Sequence, residues 1–323
     1  MKGWLAALAS LKLTLAIFLL LGGSVMLAYF SEIRTSPWLV FSLFLLVANL
    51  LAAVATNRRF RRQAPLMVFH LALLAIVILV ALGRLTYFKG RAEVVEGEEF
   101  SGEFVDIDAG PWHPLGVDRA RFSNLGTRII YGPGPVRLGT QNRVGWIDED
   151  GRPQETVIGD HLPLVRNHYR FYANWNKGFA LMFAWQPTGG EPLVGSVNLP
   201  SYPANALQQA RQWSLPGSPE PLWAMLKFEG DLIPDTGGEF RLPASYQVVL
   251  RHDSRRWEID GDKGVTHIDL PGGRLSYLGL RTWMGYQVTW DRTMPWLLFA
   301  SVLAVLALGW HFWSKFNARP WNS

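Results

Sequence analysis

Four uncharged apolar stretches constrain this chain more than any other feature: Leu13–Phe30 with 18 residues, Trp38–Thr56 with 19, Leu66–Gly83 with 18 and Met294–Ser314 with 21. At 1.5 Å per residue each makes a helix of about 27–31 Å, which matches a hydrocarbon core of roughly 30 Å. Pro37, Pro65 and Pro295 open the last three, where the missing N–H is no loss to a helix. The spacing predicts four transmembrane helices, three N-terminal and one C-terminal, with the block 89–292 between helices three and four. The first stretch exceeds a usual signal core and shows no small-x-small cleavage site before Tyr29, so it is read as a retained anchor.

Charge predicts the orientation. The block 89–292 holds 21 basic and 25 acidic residues, whereas the rest of the chain holds 10 basic and 1 acidic. The positive charge gathers in Lys2, Lys12, the loop Arg58-Arg59-Phe60-Arg61-Arg62, Lys315 and Arg319, all on one side of four alternating helices. The positive-inside rule makes that side cytoplasmic. Both termini are then inside, and the expected localisation is the inner (cytoplasmic) membrane with the large domain extracytoplasmic. The basic excess is thereby read as a topology signal, and no nucleic acid is expected as a partner. With no cysteine in the chain, disulfides, zinc–thiolate sites, iron–sulfur clusters, thiol nucleophiles and covalent haem attachment are excluded.

The block 89–292 is rich in turn formers and short alternating runs: Phe100–Ile107, Arg128–Tyr131, Tyr169–Trp175, Phe179–Trp185, Tyr246–Arg251, Trp257–Ile259, Thr266–Leu270 and Tyr286–Trp290. Asn174–Gly178 and Pro187–Gly190 have the chemistry of hairpin or short-loop connections, and Asp148–Gly151 and Pro271–Gly273 are further turn clusters. A helix is expected at Pro203–Trp213, where Ala204–Gln212 holds good helix formers. The expected fold class is therefore membrane α plus extracytoplasmic β. Residues 1–88 form the three-helix transmembrane region, 89–292 a mostly antiparallel β domain (sandwich or open barrel), and 293–323 the last helix with a cytoplasmic tail.

Catalytic signatures are absent from the sequence. Tyr131-Gly-Pro-Gly-Pro-Val-Arg-Leu-Gly139 has two prolines and no following Lys-Ser/Thr, so it reads as a structural loop rather than a phosphate cradle. The acidic clusters Glu96–Glu99 and Asp148–Asp150 are explained by solvated turns at least as well as by paired carboxylates. His113, His161, His168, His252 and His267 lack metal-ligand spacing and read as surface or strand histidines. His70 differs, because it stands inside the third apolar stretch toward the cytoplasmic leaflet. An ionisable residue there faces a partner, a cavity or a cofactor, or else is a neutral imidazole hydrogen-bonded across the bundle. His311 ends the fourth stretch at a comparable depth, beside Trp310 and Trp313. It reads either as an interfacial anchor or as a second ligand.

The arrangement resembles the ResB family of System II cytochrome c biogenesis proteins (the CcsB type). The local matches are Leu8-Ala-Ser-Leu-Lys-Leu-Thr-Leu15, Phe69-His70-Leu71 with Gly83, Glu93-Val-Val-Glu-Gly97, and Tyr286-Gln-Val-Thr-Trp-Asp-Arg-Thr-Met-Pro295. The resemblance implies a non-catalytic subunit of a cytochrome c haem lyase complex, one that carries haem b outward and supports its attachment to apocytochrome c. It also implies a CcsA-like polytopic haem-binding partner, with His70 as an axial haem ligand and the second ligand supplied by that partner. The competing class is a haem b-binding electron-transfer subunit of a membrane oxidoreductase, in which His70 and His311 hold one haem within this chain.

Overall fold

The computed structural model describes residues 2–31, 36–114, 116–134, 136–203, 209–217, 220–233 and 235–317. The chain divides into two compact units. One comprises Met1–Phe88, Asp108–Leu115 and Trp290–Ser323; the other comprises Lys89–Ile107 and Gly116–Thr289.

The first unit is helical: α1 (Lys2–Leu8), α2 (Leu11–Phe30), α3 (Pro37–Thr56), α4 (Arg58–Arg62), α5 (Ala64–Thr86) and α6 (Met294–Asn317). The helices α2, α3, α5 and α6 have 20, 20, 23 and 24 residues and are long and apolar enough to cross a membrane. Many of their large side chains point away from the bundle, as lipid-facing positions do; Leu19 is 71% exposed and Val305 is 70% exposed. Each apolar stretch is the body of a helix, and Pro37 and Pro65 sit in the first turns of α3 and α5. The basic run expected as a loop is instead one short helix, α4. Its five residues bridge α3 and α5, and Phe60 in the middle is buried.

Small polar groups tie the helices together where apolar burial gives no drive for association. Ser24 of α2 and Ser42 of α3 share a hydrogen bond of 2.9 Å. Asn49 of α3, 1% exposed, accepts from Thr14 Oγ1 at 2.9 Å and donates to the Leu8 carbonyl at 2.5 Å. The start of α6 is capped within its own turn. Asp291 Oδ1 accepts from the Thr293 backbone N–H at 2.8 Å and from Thr293 Oγ1 at 2.6 Å. A side chain at Gly83 would place its Cβ 2.9 Å from Thr293 Oγ1, so glycine lets α5 pass the start of α6.

Among the described residues the second unit is built from fifteen strands: β1 (Phe88–Val95), β2 (Asp106–Ala109), β3 (Ser123–Gly132), β4 (Val136–Ile147), β5 (Pro153–Gly159), β6 (Leu164–Arg166), β7 (Tyr169–Pro187), β8 (Leu193–Asn198), β9 (Ala210–Ser214), β10 (Pro221–Phe228), β11 (Gly238–Glu239), β12 (Tyr246–His252), β13 (Arg255–Asp260), β14 (Thr266–Leu270) and β15 (Gly273–Trp290). Seven form one sheet in the order β2-β1-β15-β7-β6, with β14 on β15 and β8 on β7. Four form the sheet β13-β12-β10-β9 and four the sheet β11-β3-β4-β5. Four apolar helices thus flank a large antiparallel β domain inserted between the third and fourth.

The main core takes Phe179, Leu181, Phe183 and Trp185 from β7, Leu222, Ala224 and Leu226 from β10, and Val248 and Leu250 from β12. On β10 burial alternates with period two, as a strand with one wet face requires. On β7, Phe179–Phe183 is buried without a break, because Ala180 and Met182 pack on the opposite face with Val95 and Trp283. A polar network crosses this interior. Asn142 accepts from the Tyr286 hydroxyl at 2.7 Å and donates to Asn124 Oδ1 at 2.8 Å, the Gly126 carbonyl at 3.0 Å and Thr127 Oγ1 at 2.9 Å.

Asp148–Gly151, Pro187–Gly190 and Pro271–Gly273 connect antiparallel neighbours as their turn chemistry predicts. Asn174–Gly178 does not reverse the chain. The runs on either side belong to one long strand, β7, which pairs with β15 throughout. Between Met284↔Lys177 and Tyr286↔Ala173, the three residues Asn174–Asn176 oppose Gly285 alone. Asn174 Oδ1 accepts from the Asn176 N–H at 2.5 Å, so the asparagine closes a bulge rather than a turn. Gly285 fits because a Cβ there would lie 2.9 Å from the Asn176 carbonyl oxygen.

The expected strand Phe100–Ile107 is also corrected: strand begins only at Asp106, and Phe100 and Phe104 serve as packing aromatics in the preceding loop. The expected helix at Pro203–Trp213 falls partly on residues 204–208, which lie outside the described residues. Its remainder is β9, held in strand by pairing with β10.

Candidate functional site

His70 lies in the second turn of α5, half-buried among helices of the first unit. Its Nδ1 is 2.8 Å from the carbonyl oxygen of Leu66, one turn earlier. A carbonyl can only accept, so Nδ1 carries the proton and Nε2 keeps its lone pair. Histidines that hold a metal use this arrangement, with the second ring nitrogen donating to a backbone carbonyl that fixes tautomer and ring orientation. Phe60 of α4 packs its ring on the imidazole, with centroids 4.0 Å apart and planes 31° apart, and Phe69 meets its edge at 5.4 Å. The basic helix α4 is thus anchored through Phe60 to the ring of His70. Arg58 and Arg62, at its two ends, are exposed. An apolar groove of about 450 Å³ between α5 and α6 is lined by Val68, Leu71, Ala75, Phe299 and Leu303, and His70 is not among its lining residues.

His311 is 8% exposed, on the same face of α6 as the buried Ala300, Ala304 and Ala307. Trp310 and Trp313 beside it are 55% and 69% exposed and fit the anchor role that the sequence offers for this end. His70 and His311 do not stand level. From the crossing of Gly83 with Thr293, His70 is 13 residues along α5 and His311 is 18 along α6. The difference of five residues is about 7 Å of helix rise.

The remaining histidines do structural work. His113 Nδ1 is 2.9 Å from the Thr86 carbonyl oxygen, and its ring packs on Phe88 and against Trp290. His252 Nε2 lies 3.0 Å from Glu220, and His267 Nδ1 lies 2.8 Å from Ser276 Oγ. His161 and His168 are exposed. Among the described residues no group of three His, Cys, Asp or Glu side chains could hold a metal ion. Asp148 accepts from the Asp150 and Arg152 backbone N–H groups and from Gln154, and the Arg152 bond foremost holds its carboxyl below the usual carboxylate range. Glu96 accepts from Thr282 Oγ1 at 2.6 Å, and Gly97 follows with φ +83°, so the Glu93–Gly97 motif is the end of β1 and the turn that leaves it.

Two features escape a reading of the sequence. Phe60 is hidden inside an arginine cluster whose charge dominates any such reading. Lys177, next to the β7 bulge, is 3% exposed and donates to the Tyr131 hydroxyl. Its ammonium lies 4.9 Å from the Tyr131 ring centroid and 5.5 Å from that of Phe240. Burial, reinforced by Arg137, pushes its pKa down to about 8.

Four long apolar helices together with a β domain make this a multi-pass membrane protein. Comparison with known families then narrows the class. The model of the ResB-like family matches residues 48–123. That segment runs from α3 through α5 into β3 and contains His70, Gly83 and the Glu93–Gly97 motif. Over that segment the chain is similar to the ResB-like family. No curated protein matches it.

Proposed function

We propose that this chain is the ResB-like, non-catalytic subunit of a haem-handling membrane complex that carries haem outward and supports its attachment to apocytochrome c. The observation that carries the reading is His70, whose Nδ1 is committed to the Leu66 carbonyl and whose Nε2 lone pair is uncommitted. The residues fit a haem. Imidazole is a common axial ligand, Phe60 fixes the ring, and the helix around His70 is apolar. When bound, the haem iron supplies the redox couple and the coordination bond. The chain holds the imidazole in one tautomer and places Arg58 and Arg62 of α4 near that end of α5, where their charge suits anionic propionates.

The second axial ligand comes in this reading from a CcsA-like polytopic partner. His311 lies about 7 Å further along its helix, which supports an incoming ligand over a single haem held within the chain. The membrane is the inner (cytoplasmic) one. The basic residues near the helix ends set both termini in the cytoplasm and the acidic β domain outside.

Deleting the chain should abolish holo-cytochrome c while apocytochrome c is still exported. Normal holo-cytochrome c in the deletion strain would refute the reading, and a stable bis-histidine haem in the isolated chain would favour the electron-transfer role with His311 as second ligand. Reporter fusions at 57–64 should report cytoplasm and fusions within 100–285 the exterior.

A further inference from the structure

We propose that the free edge of β8 is a strand-addition site for an extended polypeptide segment in which apolar and basic side chains alternate. This goes beyond the haem-handling reading and does not rest on it. β8 pairs with β7 along one edge, and among the described residues no strand pairs with the other. Edges left open in soluble domains are normally protected by lysine, proline, a bulge or a covering loop. Leu193–Asn198 has no charged residue, no proline and no register shift against β7. Val194 is 67% exposed and Leu193 47% exposed. At the far end of the strand, Arg211 of β9 donates to the Asn198 carbonyl at 2.7 Å and limits the open edge to Leu193–Val197.

The two faces flanking this edge differ. Opposite Gly195 and Leu193 stand Phe183 and Trp185, which face the main core. On that side a pocket of about 230 Å³ opens between β8 and Trp213 of β9. Trp185, one of its walls, is 4% exposed and keeps its indole N–H without an acceptor. Opposite Ser196 and Asn198 stand Met182 and Ala180, on the other face of the sheet. There a second cavity of about 380 Å³ is lined by Glu93, Glu98, Glu99 and Glu103, with Arg211 the one basic residue lining it. Glu99 pairs with Arg121 and Glu93 accepts from Asn198, whereas Glu98 and Glu103 make no ion pair among the described residues.

Successive side chains of an added strand point to opposite faces. One set would enter the apolar pocket and the other would meet the carboxylates. Main-chain bonds along β8 would supply affinity, and the two pockets would read the alternation. A peptide carbonyl is the kind of acceptor that the Trp185 indole lacks. Charge complementarity selects the occupant, since the acidic face disfavours an acidic segment and the uncharged edge admits any extended backbone.

The test uses the full chain in phosphatidylcholine nanodiscs, which carry no net charge, and fluorescein-labelled octapeptides read by anisotropy. Val-Lys repeated four times should bind at least tenfold more tightly than Val-Glu repeated four times, and salt should weaken the binding. Val194→Lys should weaken it at least tenfold by charging the edge. The pair Glu98→Gln and Glu103→Gln, the first half-buried and the second exposed, keeps the shape of both side chains and should weaken it severalfold. Equal binding of both peptides, no binding, or binding indifferent to both sets of substitutions would overturn the proposal. So would a Val194→Lys variant that converts a dimer to a monomer without changing peptide binding, since the edge would then belong to a second copy of the chain.

Discussion

Replacing Lys177 with methionine should remove a pH dependence from the stability of the β domain. The lysine is buried against Tyr131 and Phe240 and has no carboxylate within ion-pairing distance among the described residues. Its pKa falls from the ordinary 10.5 to about 8 because burial disfavours the charged amine. Below pH 8 the amine is protonated both folded and unfolded, and the folded state bears the full penalty of about 3 kcal/mol. Between pH 8 and 10.5 the folded amine has lost its proton while the unfolded one still binds it, so stability rises with pH. From pH 7 to 9.5 the gain should be about 2 kcal/mol. Above pH 10 the buried tyrosines act in the opposite direction. Burial raises the pKa of Tyr131, Tyr277 and Tyr286, so their stabilising effect fades as the unfolded chain ionises. The assay is urea unfolding of the detergent-solubilised full chain, followed by tryptophan fluorescence at pH 7 and 9.5. Wild type should show the rise and Lys177→Met should not, although its Tyr131 hydroxyl loses a donor. A wild-type stability that is flat or falling across this window, or an equal rise in the variant, would refute the reasoning.

Three further outcomes follow from packing and hydrogen bonding. Gly83→Val pushes a side chain into Thr293 at the crossing of α5 and α6, and should lower the melting temperature of the solubilised chain by an overpacking cost of about 1–3 kcal/mol. An unchanged melting temperature would mean that the crossing is loose. Asn142→Ala strands the Tyr286 hydroxyl and takes a donor from Asn124, Gly126 and Thr127, and should cost about 3 kcal/mol in urea unfolding. Asn49→Leu removes the link from α3 to Thr14 and Leu8, and should lower thermal stability by about 1 kcal/mol while leaving insertion intact.

The helical unit was legible because an unbroken apolar run long enough to span a bilayer has few other folds open to it. The prolines then fixed the starts of the last three such helices to within a few residues. Turns at Asp148–Gly151 and Pro271–Gly273 were legible because aspartate and glycine specify tight reversals locally. Asn174–Gly178 carries the same chemistry, but pairing with β15 on both sides outweighs the local preference and leaves a bulge. β9 was missed because helix propensity is weak beside the hydrogen bonds offered by β10. For the histidines, sequence marked His70 by its place in an apolar helix. Only coordinates show the Leu66 acceptor, the Phe60 ring and the burial of His311, since each depends on which helix face meets which neighbour.

The central claim is that the Nε2 of His70 is an axial ligand of haem. It is tested most directly by the visible absorption spectrum of this chain purified together with the polytopic partner proposed for it, comparing wild type with His70→Ala. The account predicts that His70→Ala weakens or removes the haem bands while the chain remains inserted and bound to its partner, and that added imidazole partly restores the spectrum by filling the vacated position. An unchanged spectrum, together with a normal yield of holo-cytochrome c, would contradict it and leave His70 a packing residue beneath Phe60.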